Sequence, residues 1–270
     1  VNWGRLSQAE RDAAYNNGAA VANSAALVRE RNEASAGYRA EHAGHLDLAY
    51  AAGERCKWDI YPGAAAAPCL VFIHGGYWQM NRREDFAVFA QGVAAHGWSV
   101  AMPGYSLAPE ASLAQIAAEL RAALDWLAIS GPAHGIAGGA IISGWSAGGQ
   151  LAAMLLDHSL IRAGLAISGV YELGPLRDTY LNAKLNLTDE EVAALSPLRL
   201  PVVQKPLGVA YGSRELPALV ADSRKFHALR AAAHAPGALL PVAGADHFTV
   251  LDALRAADGE LVKALLGLAA

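Results

Sequence analysis

Cysteine is nearly absent from this chain: Cys56 and Cys69 are the only two in 270 residues. Two are too few for a disulfide scaffold, and neither stands at the spacing of a metal site. Both read as reduced core or strand residues, which fits a cytoplasmic protein. His42 and His45 have metal-like spacing but no third ligand nearby, so no metal and no other cofactor is expected. Charge is sparse as well. Only 17% of residues are charged, the net charge is −4, and Lys and Arg gather in no stripe. Neither a nucleic-acid partner nor an anionic membrane surface is therefore expected. No apolar run approaches the ~20 residues that cross a bilayer. The N-terminus is polar and lacks a signal-peptide pattern, although a start at Val1 rather than Met leaves a leader open. What remains is a small-molecule substrate. A homodimer stays open, with no interface legible.

More than half of the residues, 54%, are hydrophobic, enough for a core on both faces of a sheet. The chain alternates strands with helices. Ser7-Gln8-Ala9-Glu10 is a capping box opening a helix through about Tyr15, and a second helix runs from near Ala22 to Ala36. Residues 1–45 thus form a helical arm, which either packs over the mouth of the domain or decorates its edge. Leu46 to Tyr50 and Lys57 to Tyr61 alternate in period two, the pattern of a β-hairpin. Cys69 to Ile73 is a continuous apolar run, as in a parallel strand buried on both faces. A helix near Arg83 to His96, a strand from Trp98 to Met102 and an amphipathic helix from Ser112 to Ile129 follow. After a strand at Gly164 to Ser168, prolines break the pattern over 174–206, a small lid-like insertion whose clearest helix is Thr188 to Leu195. Strands at Pro206 to Tyr211 and Ala238 to Val242 flank a helix from Ala218 to Ala233. Helices Thr249 to Ala256 and Glu260 to Leu268 close the chain. This order predicts one α/β domain over 1–270, with a mostly parallel sheet covered by right-handed crossovers.

The most informative stretch is Ile141-Ile142-Ser143-Gly144-Trp145-Ser146-Ala147-Gly148. An apolar strand meets G-x-S-x-G and then an Ala/Leu-rich helix, the setting of a nucleophile elbow. Small neighbours are needed because the serine sits at a strained corner where strand and helix backbones approach. The same region also mimics a phosphate-binding loop from Gly139 to Ser146. Trp145 stands where that loop needs Lys, so nucleotide binding is discarded.

A serine hydroxyl needs a base to take its proton and a third group to hold the base. In an α/β-hydrolase fold these follow the serine in the order acid, then histidine, at the ends of late strands. His247 is the base on this reading and Glu215 the orienting acid. Asp222, inside the next helix and about two turns below the strand end, is its rival. His74-Gly75-Gly76 after a strand matches the loop that completes an oxyanion hole, with His74 shaping the loop rather than acting as base. Ala147 supplies the N–H after the nucleophile. Tyr77 and Trp78 are candidate substrate-binding residues, Trp78 as pocket wall, whereas Trp145 is expected to pack.

Together H-G-G-Y-W, G-W-S-A-G, G-x-x-E followed by Leu216-Pro217, and Asp246-His247-Phe248 resemble the kynurenine formamidase (arylformamidase) group of α/β-hydrolases. That group is related to the hormone-sensitive-lipase type of carboxylesterase. Tyr15-Asn16-Asn17, Asp59-Ile60-Tyr61-Pro62 and Pro103 to Glu110 extend the resemblance over nearly the whole chain. It implies Ser146 as nucleophile, His247 as base, Glu215 as acid, and the N–H groups of Gly75, Gly76 and Ala147 as oxyanion donors. Many members carry Asp where this chain has Glu. The implied reaction is hydrolysis of an N-formyl arylamine to arylamine and formate. A carboxylesterase using the same residues is the alternative, and a non-catalytic binding protein of the same fold is a third reading, disfavoured because no triad member is missing.

Overall fold

The apolar run Cys69–Ile73 forms strand β3, and all five of its residues are buried. In the computed structural model, which describes residues 3–269, β3 lies inside an eight-stranded sheet. The other strands are β1 (His45–Ala49), β2 (Lys57–Tyr61), β4 (Ser99–Pro103), β5 (Ala140–Trp145), β6 (Ile161–Ile167), β7 (Leu207–Gly212) and β8 (Leu239–Val242). The spatial order is β1-β2-β4-β3-β5-β6-β7-β8. β1 and β2 pair antiparallel, as does β2 with β4, and every later pairing is parallel. The expected hairpin therefore forms the antiparallel edge of an otherwise parallel sheet.

Alternation along β3 assigns its side chains to two cores. Cys69, Val71 and Ile73 join one, with Leu113, Ile116, Leu120, Leu124 and Leu127 of α5 (Leu113–Ser130). Leu70 and Phe72 join the other, with Phe86, Phe89 and the closing segments from Val250 to Leu265. Successive strand residues face opposite ways, so an unbroken apolar run is what a sheet covered on both sides requires.

The arm is built into the domain. Ser7 caps α1 (Gln8–Ala13) through a complete capping box with Glu10, and α2 (Asn17–Ala20) follows. The long helix α3 (Ser24–Glu41) continues past Ala36, where the sequence suggests a stop. Tertiary contacts explain the extension: Tyr38 packs edge-on against Tyr61 at 5.4 Å, and Arg39 pairs with the buried Asp59 at 2.9 Å. The helix expected near Arg83 to His96 is instead a 3-10 segment, Arg83–Ala90, leading into the single turn α4 (Gln91–Ala94). Ser35 of α3 bridges this segment, donating to the Asp85 carbonyl and accepting from the Val88 N–H, which supports the tighter winding. Thr249–Leu254 is also 3-10 rather than α-helical.

α6 (Ala147–Met154) follows β5, and α9 (Pro217–Ala232) follows β7. Between β6 and β7, residues 174–206 hold α7 (Asn182–Leu185) and α8 (Asp189–Leu195). Leu176, Leu181, Leu185, Val192 and Leu195 from this insertion are buried in the α5-side core. α10 (Glu260–Ala269) ends the described chain. No helix among the described residues is long and apolar enough to cross a membrane. Cys56 and Cys69 are buried and unpaired.

Candidate active site

Ser146 stands between β5 and α6 with φ +58° and ψ −120°, the strained corner expected of an elbow. A side chain at Gly148 would put a Cβ 2.0 Å from the Ile73 carbonyl oxygen, so only glycine lets the helix start this close to β3. The Ser146 Oγ lies 3.1 Å from His247 Nε2, and His247 Nδ1 lies 3.2 Å from Glu215 Oε2. The other Glu215 oxygen accepts from the Ser168 hydroxyl at 2.5 Å and from the Gly212 N–H at 2.7 Å. Ser146, His247 and Glu215 are all buried. A carboxylate on Nδ1 fixes the imidazole with its proton on that side, leaving Nε2 free to accept from the serine.

The rival acid does something else. Asp222 Oδ2 accepts from the N–H groups of Tyr171 at 2.7 Å and Glu172 at 3.1 Å, tying α9 to the turn after β6. Burial pushes its carboxyl up to about 6, against those hydrogen bonds. Glu215 therefore holds His247, and Asp222 does not touch it.

Gly75 packs directly on the elbow: a Cβ there would lie 2.5 Å from the Trp145 carbonyl oxygen and 2.9 Å from Ser146 Cβ. The main-chain N–H groups of Gly75, Gly76 and Ala147 donate to no backbone carbonyl among the described residues. His74 is buried and stacks on Tyr105 with ring centroids 4.2 Å apart. Burial, and then the nearby Arg55, Arg31 and Arg83, push its imidazole down to about 3, although the bond to Gly75 opposes this. A histidine held neutral and hydrogen-bonded to Gly75 and Tyr105 rather than to Ser146 shapes the loop, as its sequence position suggests.

The aromatic residues divide differently from the expectation. Trp78 has 0% exposure and donates its indole N–H to Gln150 at 3.3 Å. With no free surface the ring forms no pocket wall, and that expectation is corrected: it is core that supports the loop. Tyr77 is 8% exposed. Its hydroxyl donates to the Tyr15 carbonyl at 2.8 Å and accepts from Asn17 at 3.0 Å, so it fastens the loop to the arm. Burial, with Tyr180 and Tyr15 nearby, holds this phenol well above its ordinary value. Trp145 packs, as expected, 4.8 Å from the His247 ring, and its N–H donates to the His247 carbonyl at 2.8 Å. Sequence reasoning missed Ser168, whose hydroxyl holds Glu215. Its only signal is a small polar residue just past β6, and its φ of +52° is invisible in the sequence.

Known proteins bear on this site as follows. The BD-FAE family model matches residues 59–159, which include the His74 loop and the elbow. The kynurenine formamidase of Salmo salar is 28% identical over 239 residues, 82% of this chain and 80% of that one. The kynurenine formamidase of Danio rerio is 26% identical over 238 residues, again 82% and 80%. A structure from Silicibacter sp., provisionally described as a thioesterase, superposes with a TM-score of 0.83 at 27% identity, over 95% of this chain and 99% of that one. Esterase B of Lactobacillus rhamnosis shares the fold, with a TM-score of 0.70 at 20% identity over 90% of each chain. The chain is a hydrolase of the α/β-hydrolase fold. Within that class it is a homologue of the kynurenine formamidases over most of its length.

Proposed function

We propose that the protein hydrolyses an N-formyl arylamine, of the N-formylkynurenine kind, through a formyl-enzyme on Ser146. The observation that carries this reading is the unbroken chain of contacts from Ser146 through His247 to Glu215. His247 Nε2 takes the Ser146 proton as Oγ attacks the formyl carbon. The carbonyl oxygen becomes an oxyanion held by the N–H groups of Gly75, Gly76 and Ala147. The C–N bond then breaks, and the His247 imidazolium gives its proton to the departing arylamine. Water, deprotonated by the same imidazole, attacks the formyl ester and releases formate, restoring the serine. Glu215 stabilises the imidazolium in both halves. Ser146 is only 2% exposed, which suits an acyl group as small as formyl. Kinship with kynurenine formamidases supports the substrate class.

A second reading is an esterase using the same residues, favoured by the resemblance to the Silicibacter structure. A single panel separates them: N-formylkynurenine, formanilide and aryl esters of growing acyl length on one preparation. The first reading expects the formamides to be turned over, and activity on esters to fall as the acyl chain lengthens. Turnover of esters with none of either formamide rejects it. Loss of fluorophosphonate labelling in Ser146→Ala tests the nucleophile itself.

A further inference from the structure

The Gly75 carbonyl accepts two hydrogen bonds, from His74 Nδ1 at 2.9 Å and from Asn81 Nδ2 at 3.1 Å. A carbonyl has two lone pairs, so this acceptor is filled. Since it can only accept, His74 carries its proton on Nδ1. The Asn81 amide is oriented by the same logic. Its Oδ1 faces Arg31 Nη2 at 3.3 Å, and an arginine can only donate, so Nδ2 must face Gly75.

Arg31 comes from α3, 50 residues before Asn81 in the chain. It is 8% exposed and lies 4.1 Å above the Phe86 ring. Burial, partly offset by Asp85, pushes it down to about 10, so it is charged at neutral pH. Arg55 secures the other side of the loop, donating to the carbonyls of Asn81 and Tyr105. These contacts hold a segment in which Tyr77, Trp78 and Asn81 have φ of +49°, +58° and +73°. Residues in that region persist only where their surroundings over-determine them.

The Gly75 carbonyl and the Gly76 N–H are the two ends of one planar peptide. Donors on the carbonyl fix that plane and strengthen the N–H as a donor, since hydrogen bonds in a chain polarise one another. We propose that Arg31 and Asn81 are positioning residues for the oxyanion hole. Arg31 orients the Asn81 amide, which with His74 clamps the Gly75–Gly76 peptide so that its N–H meets the oxyanion. This rests on the serine-hydrolase reading above. It makes the helical arm a supporting part of the catalytic apparatus.

Asn81→Asp is the discriminating variant. It keeps a partner for Arg31 and nearly the same shape, but turns an oxygen towards the Gly75 carbonyl. Losing a whole oxyanion donor costs about 10²–10³ in kcat, so a misaligned one is expected to cost about tenfold or more. Asn81→Asp and Arg31→Met should lower kcat on formanilide and on an aryl acetate with KM within about twofold. Affinity for a phenylboronic acid, which forms a tetrahedral adduct on the serine, should fall in parallel. Arg31→Lys should recover part of the loss. Should Arg31→Met fail to fold, Asn81→Asp decides alone. A folded Asn81→Asp with kcat and boronate affinity within twofold of wild type overturns the proposal, as does a change in KM alone. Wild-type protein that turns over neither substrate, and takes no fluorophosphonate at Ser146, overturns the serine-hydrolase reading and this proposal with it.

Discussion

One buried side chain should contribute a loss of stability on acidification, and His74→Asn should remove that contribution. His74 is 1% exposed, and its imidazole is pushed from 6.5 down to about 3. The sign follows from linkage. Above 6.5 the ring is neutral in folded and unfolded chains alike. As the pH falls below 6.5 the unfolded chain takes up a proton that the folded one refuses until about 3, so stability is lost across that window. Between pH 7 and pH 4 the loss amounts to about 3 kcal/mol. That is a large share of the roughly 5–15 kcal/mol that holds a domain folded. Asparagine places an amide nitrogen where Nδ1 lies, so the donor to Gly75 is retained while the titration is removed. The variant loses the stack on Tyr105, but by the same amount at every pH. Urea unfolding at pH 7, 5.5 and 4 for both proteins isolates the difference, because other titrating groups cancel between them. Wild type should lose about 3 kcal/mol more than His74→Asn from pH 7 to pH 4. Parallel losses in the two proteins would refute the argument that the fold excludes a charged His74.

Other outcomes follow from the same geometry. Glu215→Gln should lower kcat by about 10³–10⁴, whereas Asp222→Asn, which leaves the His247 contacts intact, should stay within about tenfold in kcat; the reverse order would unseat Glu215 as the acid. Asp222 titrates in the opposite sense to His74. Its carboxyl is raised from 3.8 to about 6, so its stabilising share is present below 3.8 and lost as pH rises through 6, about 3 kcal/mol in all. Thermal melts should therefore move in favour of Asp222→Asn, relative to wild type, as pH rises from 4 to 7. Gly75→Ala should fold less stably and lose nearly all turnover, because the new methyl would sit 2.5 Å from the Trp145 carbonyl and 2.9 Å from Ser146 Cβ; a variant with normal kcat would mean that the loop stands elsewhere during catalysis.

Much of the architecture was legible because its signals are local. A strand buried on both faces must be apolar or hydrogen-bond what it buries: β3 is apolar throughout, and β5 departs only at Ser143, whose hydroxyl donates to the Leu165 carbonyl. The elbow declares itself because the close approach of strand and helix around Ser146 needs glycine at 144 and 148. The contact between Glu215 and His247 was foreseeable because each stands just past the end of a late strand of one sheet. What stayed hidden depends on contacts between distant segments. The extension of α3 to Glu41 is set by Asp59 and Tyr61 rather than by helix propensity. The 3-10 winding of Arg83–Ala90 depends on a serine hydroxyl from another helix. Trp78 misled because an aromatic beside a catalytic loop has the same sequence signature whether it lines a pocket or fills the core. Ser168, Asn81 and Arg31 carry no motif: Ser168 meets Glu215 47 residues on, and Arg31 meets Asn81 50 residues on.

Trp145 joins the strand before Ser146 to His247: its N–H donates to the His247 carbonyl while its ring lies against the imidazole. An indole in that position is a built-in optical probe, since a protonated imidazole quenches a neighbouring excited indole. Among the six tryptophans of the chain, the emission lost on acidification and missing from both Trp145→Phe and His247→Gln would belong to this pair. The state of His247 could then be followed by light in the resting enzyme, with no substrate added.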